Sequence, residues 1–227
     1  MLNLTDIIGQ DAAVARLQSN LAADRVPHAF LFAGPDGVGR QTTAMALAKV
    51  LLCESPVMNL VGQKTPCGAC ESCRMLEAGS HPDFQLVYKE LARFHDDAGV
   101  RSRVMQDLGI DVIRDFLIAP AGRSSTRGRG KVFVVLEADL LSIAAQNALL
   151  KTLEEPPARV TILLIARRSE RLLPTTLSRC SLVRFGPLPR DFVKGKLAEN
   201  DIPPAEAEFW ASFTAGSLGR ALELAEA

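Results

Sequence analysis

Apolar positions along the chain switch between two spacings. Val14, Leu17 and Leu21 recur every three or four residues and predict one face of a helix. His28-Ala29-Phe30-Leu31-Phe32-Ala33 is a short, nearly continuous apolar run and predicts a buried strand. A Gly-rich turn follows, and Ala44, Leu47, Ala48 and Leu51 return to helical spacing. Phe84 to Tyr88 predicts a strand, and Ile110, Ile113, Phe116 and Leu117 a helix. Val132 to Leu136 predicts a second buried strand. A helix from about Ser142 to Glu154 must stop at Pro156-Pro157, because proline cannot continue it. Val160 to Ile165 and Leu182 to Phe185 read as the last strands. Strands alternating with helices imply an α/β fold, a parallel sheet with helices on both faces. From Leu188 onward the pattern is helical only, punctuated by Pro189, Pro203 and Pro204. The expected organisation is an α/β domain over 1–187, interrupted by an irregular module at about 53–80, and a small helical lid over 188–227. No repeat or low-complexity stretch is visible.

Composition narrows the class. Lys+Arg and Asp+Glu are both 26, so the formal charge is zero. A protein that grips DNA alone usually carries a basic excess, so any DNA contact is expected to be shared with other chains. No apolar run reaches the roughly 20 residues of a membrane span, and the first residues lack a signal-peptide pattern. A cytoplasmic location and no membrane partner are therefore expected.

In the cytosol disulfides are rare, and four of the five cysteines offer another use. Cys53, Cys67, Cys70 and Cys73 form C-x13-C-x2-C-x2-C. Such spacing converges thiolates on one ion and predicts a structural zinc site with no open position. Cys53 is the most distant ligand, and His81 is the competitor for its place.

The turn after the first strand is Gly34-Pro35-Asp36-Gly37-Val38-Gly39-Arg40-Gln41-Thr42. Its strand–turn–helix setting and its glycines, Gly34, Gly37 and Gly39, fit a P-loop, whose backbone N–H groups cradle phosphate. The functional positions depart from that pattern. Arg40 stands where Lys reaches the terminal phosphates, and the two are not interchangeable. Gln41 replaces the hydroxyl that binds magnesium, and Thr42 lies about 100° further round the helix. Leu136 stands where a strand-end Asp would hold the metal, leaving Glu137 and, beyond the strand, Asp139. The loop is expected to be a degenerate nucleotide site that does not bind ATP or ADP, although backbone N–H groups alone can hold an anion. The basic run Arg123, Arg127, Arg129 and Lys131 reads either as a solvated turn or as a DNA-phosphate contact.

Several segments together resemble the AAA+ clamp-loader family of bacterial DNA polymerase III, and within it the delta-prime branch. They are Ile8-Gly9-Gln10, the cysteine cluster, His81-Pro82-Asp83, Ile113-Arg114-Asp115, Gln146 to Pro157 (QNALLKTLEEPP) and Leu172 to Cys180 (LLPTTLSRC). The resemblance implies a subunit that helps place a sliding clamp on primed DNA, with tau/gamma and delta subunits as partners. It assigns Arg179 as an arginine finger acting in trans on a neighbour's ATP. Gly216 to Ala221 resembles the lid's sensor 2 segment, which would turn Arg220 toward the chain's own nucleotide pocket. Departures at Arg40, Gln41, Leu136 and Ala166-Arg167 all fall on that own site. They favour a non-hydrolysing member, one that is no ATPase itself but serves the polymerase holoenzyme, over an ATP-hydrolysing tau/gamma motor. The family's C-terminal collar domain has no counterpart in this sequence.

Overall fold

The computed structural model describes residues 3–102 and 106–226, so the outermost ends of the two expected domains lie outside the described residues. In chain order, α1 (Asp11–Ala22) leads into β1 (Ala29–Ala33), and the Gly-rich turn feeds α2 (Arg40–Leu52). A small module follows: β2 (Val57–Met58) pairs antiparallel with β3 (Lys64–Thr65), then comes α3 (Glu71–Glu77). Next come β4 (Phe84–Val87), α4 (Ala98–Arg101), α5 (Ile110–Ile113), a π-helical turn at Arg114–Ile118 and α6 (Ala119–Ala121). Then follow β5 (Lys131–Val135), α7 (Ile143–Glu154), β6 (Val160–Ala166), α8 (Pro174–Leu177) and β7 (Ser181–Arg184). Helices α9 (Arg190–Glu199), α10 (Pro204–Phe213) and α11 (Leu218–Ala225) complete the lid.

The large sheet has the order β4-β5-β6-β1-β7, and every neighbouring pair is parallel. Side chains alternate across each strand. Phe30 and Phe32 therefore join α1 and α2 in one apolar cluster, while Ala29 and Leu31 join α5 and α7 in the other. The expected two-sided α/β sheet is what the chain forms. The lid adds no separate core: Val193, Leu197, Ala207, Ala211 and Ala221 belong to the same cluster as α1 and α2.

One element differs from its expectation. The helix at 110–121 is not regular, because Pro120 has no N–H to donate back along the helix. The π turn at Arg114–Ile118 precedes that break. The strand expected from Phe84 to Tyr88 is β4, a half-exposed edge of the sheet.

Candidate functional site: the phosphate loop, the cysteine cluster and Arg179

The Gly-rich loop leaves the C-terminal end of β1 and enters α2, with Gly39 as N-cap in the left-handed region at φ 96°. Gly37 (φ 67°) is a position where a side chain does not fit. A Cβ there would lie 2.4 Å from Ser217 Oγ and 2.7 Å from the Gly219 nitrogen. Gly219 N–H donates to the Gly37 carbonyl at 3.1 Å, so the first turn of α11 rests directly on the loop. Together they wall a cavity of about 990 Å³ between sheet and lid, into which Gly37, Gly39, Arg40, Gln41 and Thr42 all open. Thr42 thus reaches the cavity wall despite its rotation from the expected hydroxyl position. Gly34 does not line the cavity; it packs against Phe185 instead, where a Cβ would meet the Phe185 carbonyl at 2.3 Å.

The charges on the loop are directed at each other. Arg40 is 7% exposed, and its Nη2 donates to Asp36 Oδ1 at 2.6 Å. Burial pulls its pKa below the ordinary guanidinium range, while Asp36 pulls it back. Arg167, just past β6, donates from Nη1 to Asp36 Oδ2 at 3.1 Å. Its backbone N–H donates to the buried Asp139 at 3.1 Å. Glu137 follows β5 in a left-handed conformation (φ 51°) and is paired to Lys89 Nζ at 3.5 Å. Leu136 lines the cavity in the place of a carboxylate.

Arg220 does not meet its expectation of facing the pocket. Leu218, Gly219, Leu222 and Glu223 line the cavity, and Arg220 is exposed on another face of α11. Its backbone N–H caps onto Ser217 Oγ at 3.3 Å.

Gln10 is a working residue that residue patterning did not single out. Its Nε2 donates to the carbonyls of Val38 at 3.1 Å and Gly186 at 2.8 Å, and its Oε1 accepts from Gly186 N–H at 3.1 Å. It is 5% exposed and fastens the phosphate loop to the start of the lid connection. Gln10→Ala is expected to lower unfolding free energy by about 2 kcal/mol, since it leaves three backbone groups without partners. Urea titration followed by circular dichroism measures this.

The four cysteine sulfurs lie within 4.8 Å of one another, with Cys53 Sγ 3.5 Å from Cys67 and 3.9 Å from Cys70. Tetrahedral zinc–sulfur bonds of about 2.3 Å require sulfurs about 3.8 Å apart, so the cluster fits such an ion. Backbone N–H groups of Ala69 and Cys70 hold the Cys67 thiol down to about 6, whereas burial pushes Cys53 and Cys73 up. The fifth thiol, Cys180, is pushed up to about 12 by burial and stands apart. His81 is outside the cluster. It is a buried loop residue, and its Nδ1 accepts from Asp83 N–H at 3.1 Å.

Within the basic run, which lies in a largely exposed loop, Arg127 is engaged by acids: its Nη2 binds Glu54 at 2.6 Å and Glu71 at 2.5 Å. These acids flank Cys53 and Cys70, so Arg127 straps the module to the sheet. Asp83 holds the strap's backbone, accepting N–H groups of Thr126 and Arg127 at 2.7 Å. The buried Lys49 adds a second tie to Glu77 of α3 at 2.6 Å. Lys131 donates to the Pro120 carbonyl at 2.9 Å, while Arg123 and Arg129 are exposed.

Arg179 sits between α8 and β7, outside the lining of the phosphate cavity. Its Nη2 pairs with Glu154 at 2.6 Å and its Nη1 donates to the Thr175 carbonyl at 2.7 Å. The corner that carries it is anchored by buried Gln146, whose Oε1 accepts Leu173 N–H at 2.7 Å. Gln146 and Glu154, from one segment, thus both contact the other segment, which carries Arg179.

Among the described residues no helix is long and apolar enough to cross a membrane. The fold is similar to that of the Thermotoga maritima RuvB Holliday junction branch migration motor. The TM-score is 0.58 at 18% identity, over 99% of this chain and 63% of that one. The chain is 31% identical to the DNA polymerase III subunit delta' of Bacillus subtilis, over 95% of this chain and 59% of that protein. It is 39% identical to the subunit tau of Salmonella typhimurium, over 77% of this chain and 24% of that protein. It therefore spans from about a quarter to three fifths of the length of these relatives. Residues 9–189 match the family described as DNA polymerase III, delta subunit. That span holds the phosphate loop, the cysteine cluster and the Arg179 corner alike, and the chain belongs to the DNA polymerase III delta subunit family.

Proposed function

We propose that this chain is a non-hydrolysing subunit of a clamp loader. It would help place a sliding clamp on primed DNA beside tau/gamma and delta subunits, and donate Arg179 to a neighbour's ATP. The observation that carries this reading is the contrast between two arginines. Arg40, at the loop's own functional position, is buried and neutralised by Asp36. Arg179 lies outside the chain's own cavity, so a phosphate that it meets belongs to another chain. Leu136 and Gln41 offer no pair of metal ligands, which supports the absence of a magnesium-dependent step in this chain. The structural zinc ion is assigned to Cys53, Cys67, Cys70 and Cys73, where it fixes the module and takes no part in chemistry. The cytoplasm is the location that suits these roles.

The tau likeness favours a second reading, an ATP-hydrolysing motor subunit, since identity to tau reaches 39%. Steady-state ATPase assays separate the two. The purified chain is expected to show no hydrolysis above background. Robust hydrolysis that Arg40→Ala abolishes would establish the motor reading instead.

A further inference from the structure

The phosphate cavity carries its own counter-anion. Asp36 lies within the loop, and each of its oxygens is taken by a different guanidinium: Oδ1 by Arg40 at 2.6 Å and Oδ2 by Arg167 at 3.1 Å. Arg167 comes from the far end of β6 and is braced by Asp139, 3.8 Å from its Nε. Two guanidinium groups and two carboxylates therefore make a neutral set in the cavity wall. A carboxylate bridging two planar guanidinium forks presents the arrangement that a phosphate oxyanion would present. The set is not saturated, because Arg40 Nη1 is buried and has no hydrogen-bond partner among the described residues.

We propose that Asp36 is a built-in substitute for bound phosphate: it occupies the donors of Arg40 and Arg167 and excludes phosphate anions from a cavity whose backbone still suits them. The inference deepens the non-hydrolysing reading and rests on it. Asp36 is 55% exposed, whereas Arg40 is 7% exposed and cannot move out to solvent with it. Removing the Asp36 charge leaves Arg40 as a buried cation without its closest counter-ion, which is costly and favours capture of another anion. The N-terminus of α2, with Gly39 as N-cap, adds backbone N–H donors at the same place. The absence of a hydroxyl at Gln41 and of a carboxylate at Leu136 makes the captured ligand a metal-free phosphate or pyrophosphate rather than a magnesium nucleotide.

The test is calorimetric titration of the chain with inorganic pyrophosphate in metal-free buffer. Asp36→Asn keeps the side-chain shape and is expected to bind at least about tenfold tighter than the unmodified chain, the worth of one charge-assisted hydrogen bond. Adding Arg40→Ala to that variant should abolish the gain. No gain in Asp36→Asn, or a gain that survives the loss of Arg40, overturns the proposal. Thermal melting with and without pyrophosphate gives a second readout: ligand should raise the melting temperature of Asp36→Asn and not of the unmodified chain. Equal stabilisation of both overturns it. A failed gain in a chain that does not hydrolyse ATP refutes the role of Asp36 alone, whereas ATP hydrolysis by the unmodified chain refutes the reading beneath it as well.

Discussion

Arg179→Ala is expected to slow ATP hydrolysis by about 10³-fold or more at the one site of a reconstituted loader that this chain completes, the range for a trans-acting arginine. The other ATP sites keep their own chemistry, so single-turnover measurement resolves the loss better than the steady-state rate. The physical basis is charge: a guanidinium meets the negative charge spread over the transferring phosphoryl group, and alanine leaves it unmet. Arg179→Lys should recover little, since an ammonium lacks the planar fork. The chain itself should fold as before. Arg179 pairs with Glu154 at 2.6 Å, but both side chains are partly exposed, and such pairs contribute at most about 1 kcal/mol. Melting curves of the isolated variant check this. An unchanged single-turnover rate in a loader that assembles normally removes Arg179 from the role.

Metal removal is the second large effect. Elemental analysis of carefully prepared protein should find about one zinc per chain, and Cys73→Ser should lose it. Chelation is expected to melt the module at 53–80 and lower the melting temperature by roughly 10 °C, because metal binding and folding are one event in such sites. The module has little regular structure of its own: β2 and β3 are two residues each, and Val57, Met58, Leu60 and Val61 face solvent. Loss of the ion also frees Cys53 at the end of α2, so the disturbance reaches the helix that carries the phosphate loop. Cys180→Ser is the control, since Cys180 lies outside the cluster and should leave zinc content unchanged. Protein without stoichiometric zinc, or melting indifferent to chelation, sinks the four-thiolate assignment.

The order of elements was legible because apolar spacing reports which face of an element is buried. β1, β5, β6 and α7 lie within a residue or two of their expected bounds, with Ser142 as the N-cap of α7. The edge strands β4 and β7 were legible too, although each packs on one neighbour only and is less buried. The cysteine spacing foresaw four converging sulfurs, because thiolates two residues apart in a tight turn point at one centre.

The contacts that decide what the site can do were not legible, because they join residues far apart in the chain. Sequence by itself determined the α/β alternation, the glycine turn, the cysteine cluster and the residue types Arg40, Gln41 and Leu136. Those are local matters of spacing and residue chemistry. Only the tertiary structure brought Arg167 onto Asp36, laid Gln10 across Val38 and Gly186, tied Arg127 to Glu54 and Glu71, and turned Arg220 away from the cavity. Periodicity fixes the direction in which a side chain leaves its own element, but its partner is set by how elements pack across the sheet. The residues at the loop's functional positions are therefore sequence facts, and the pairing of Asp36 with Arg40 and Arg167 is a structural one.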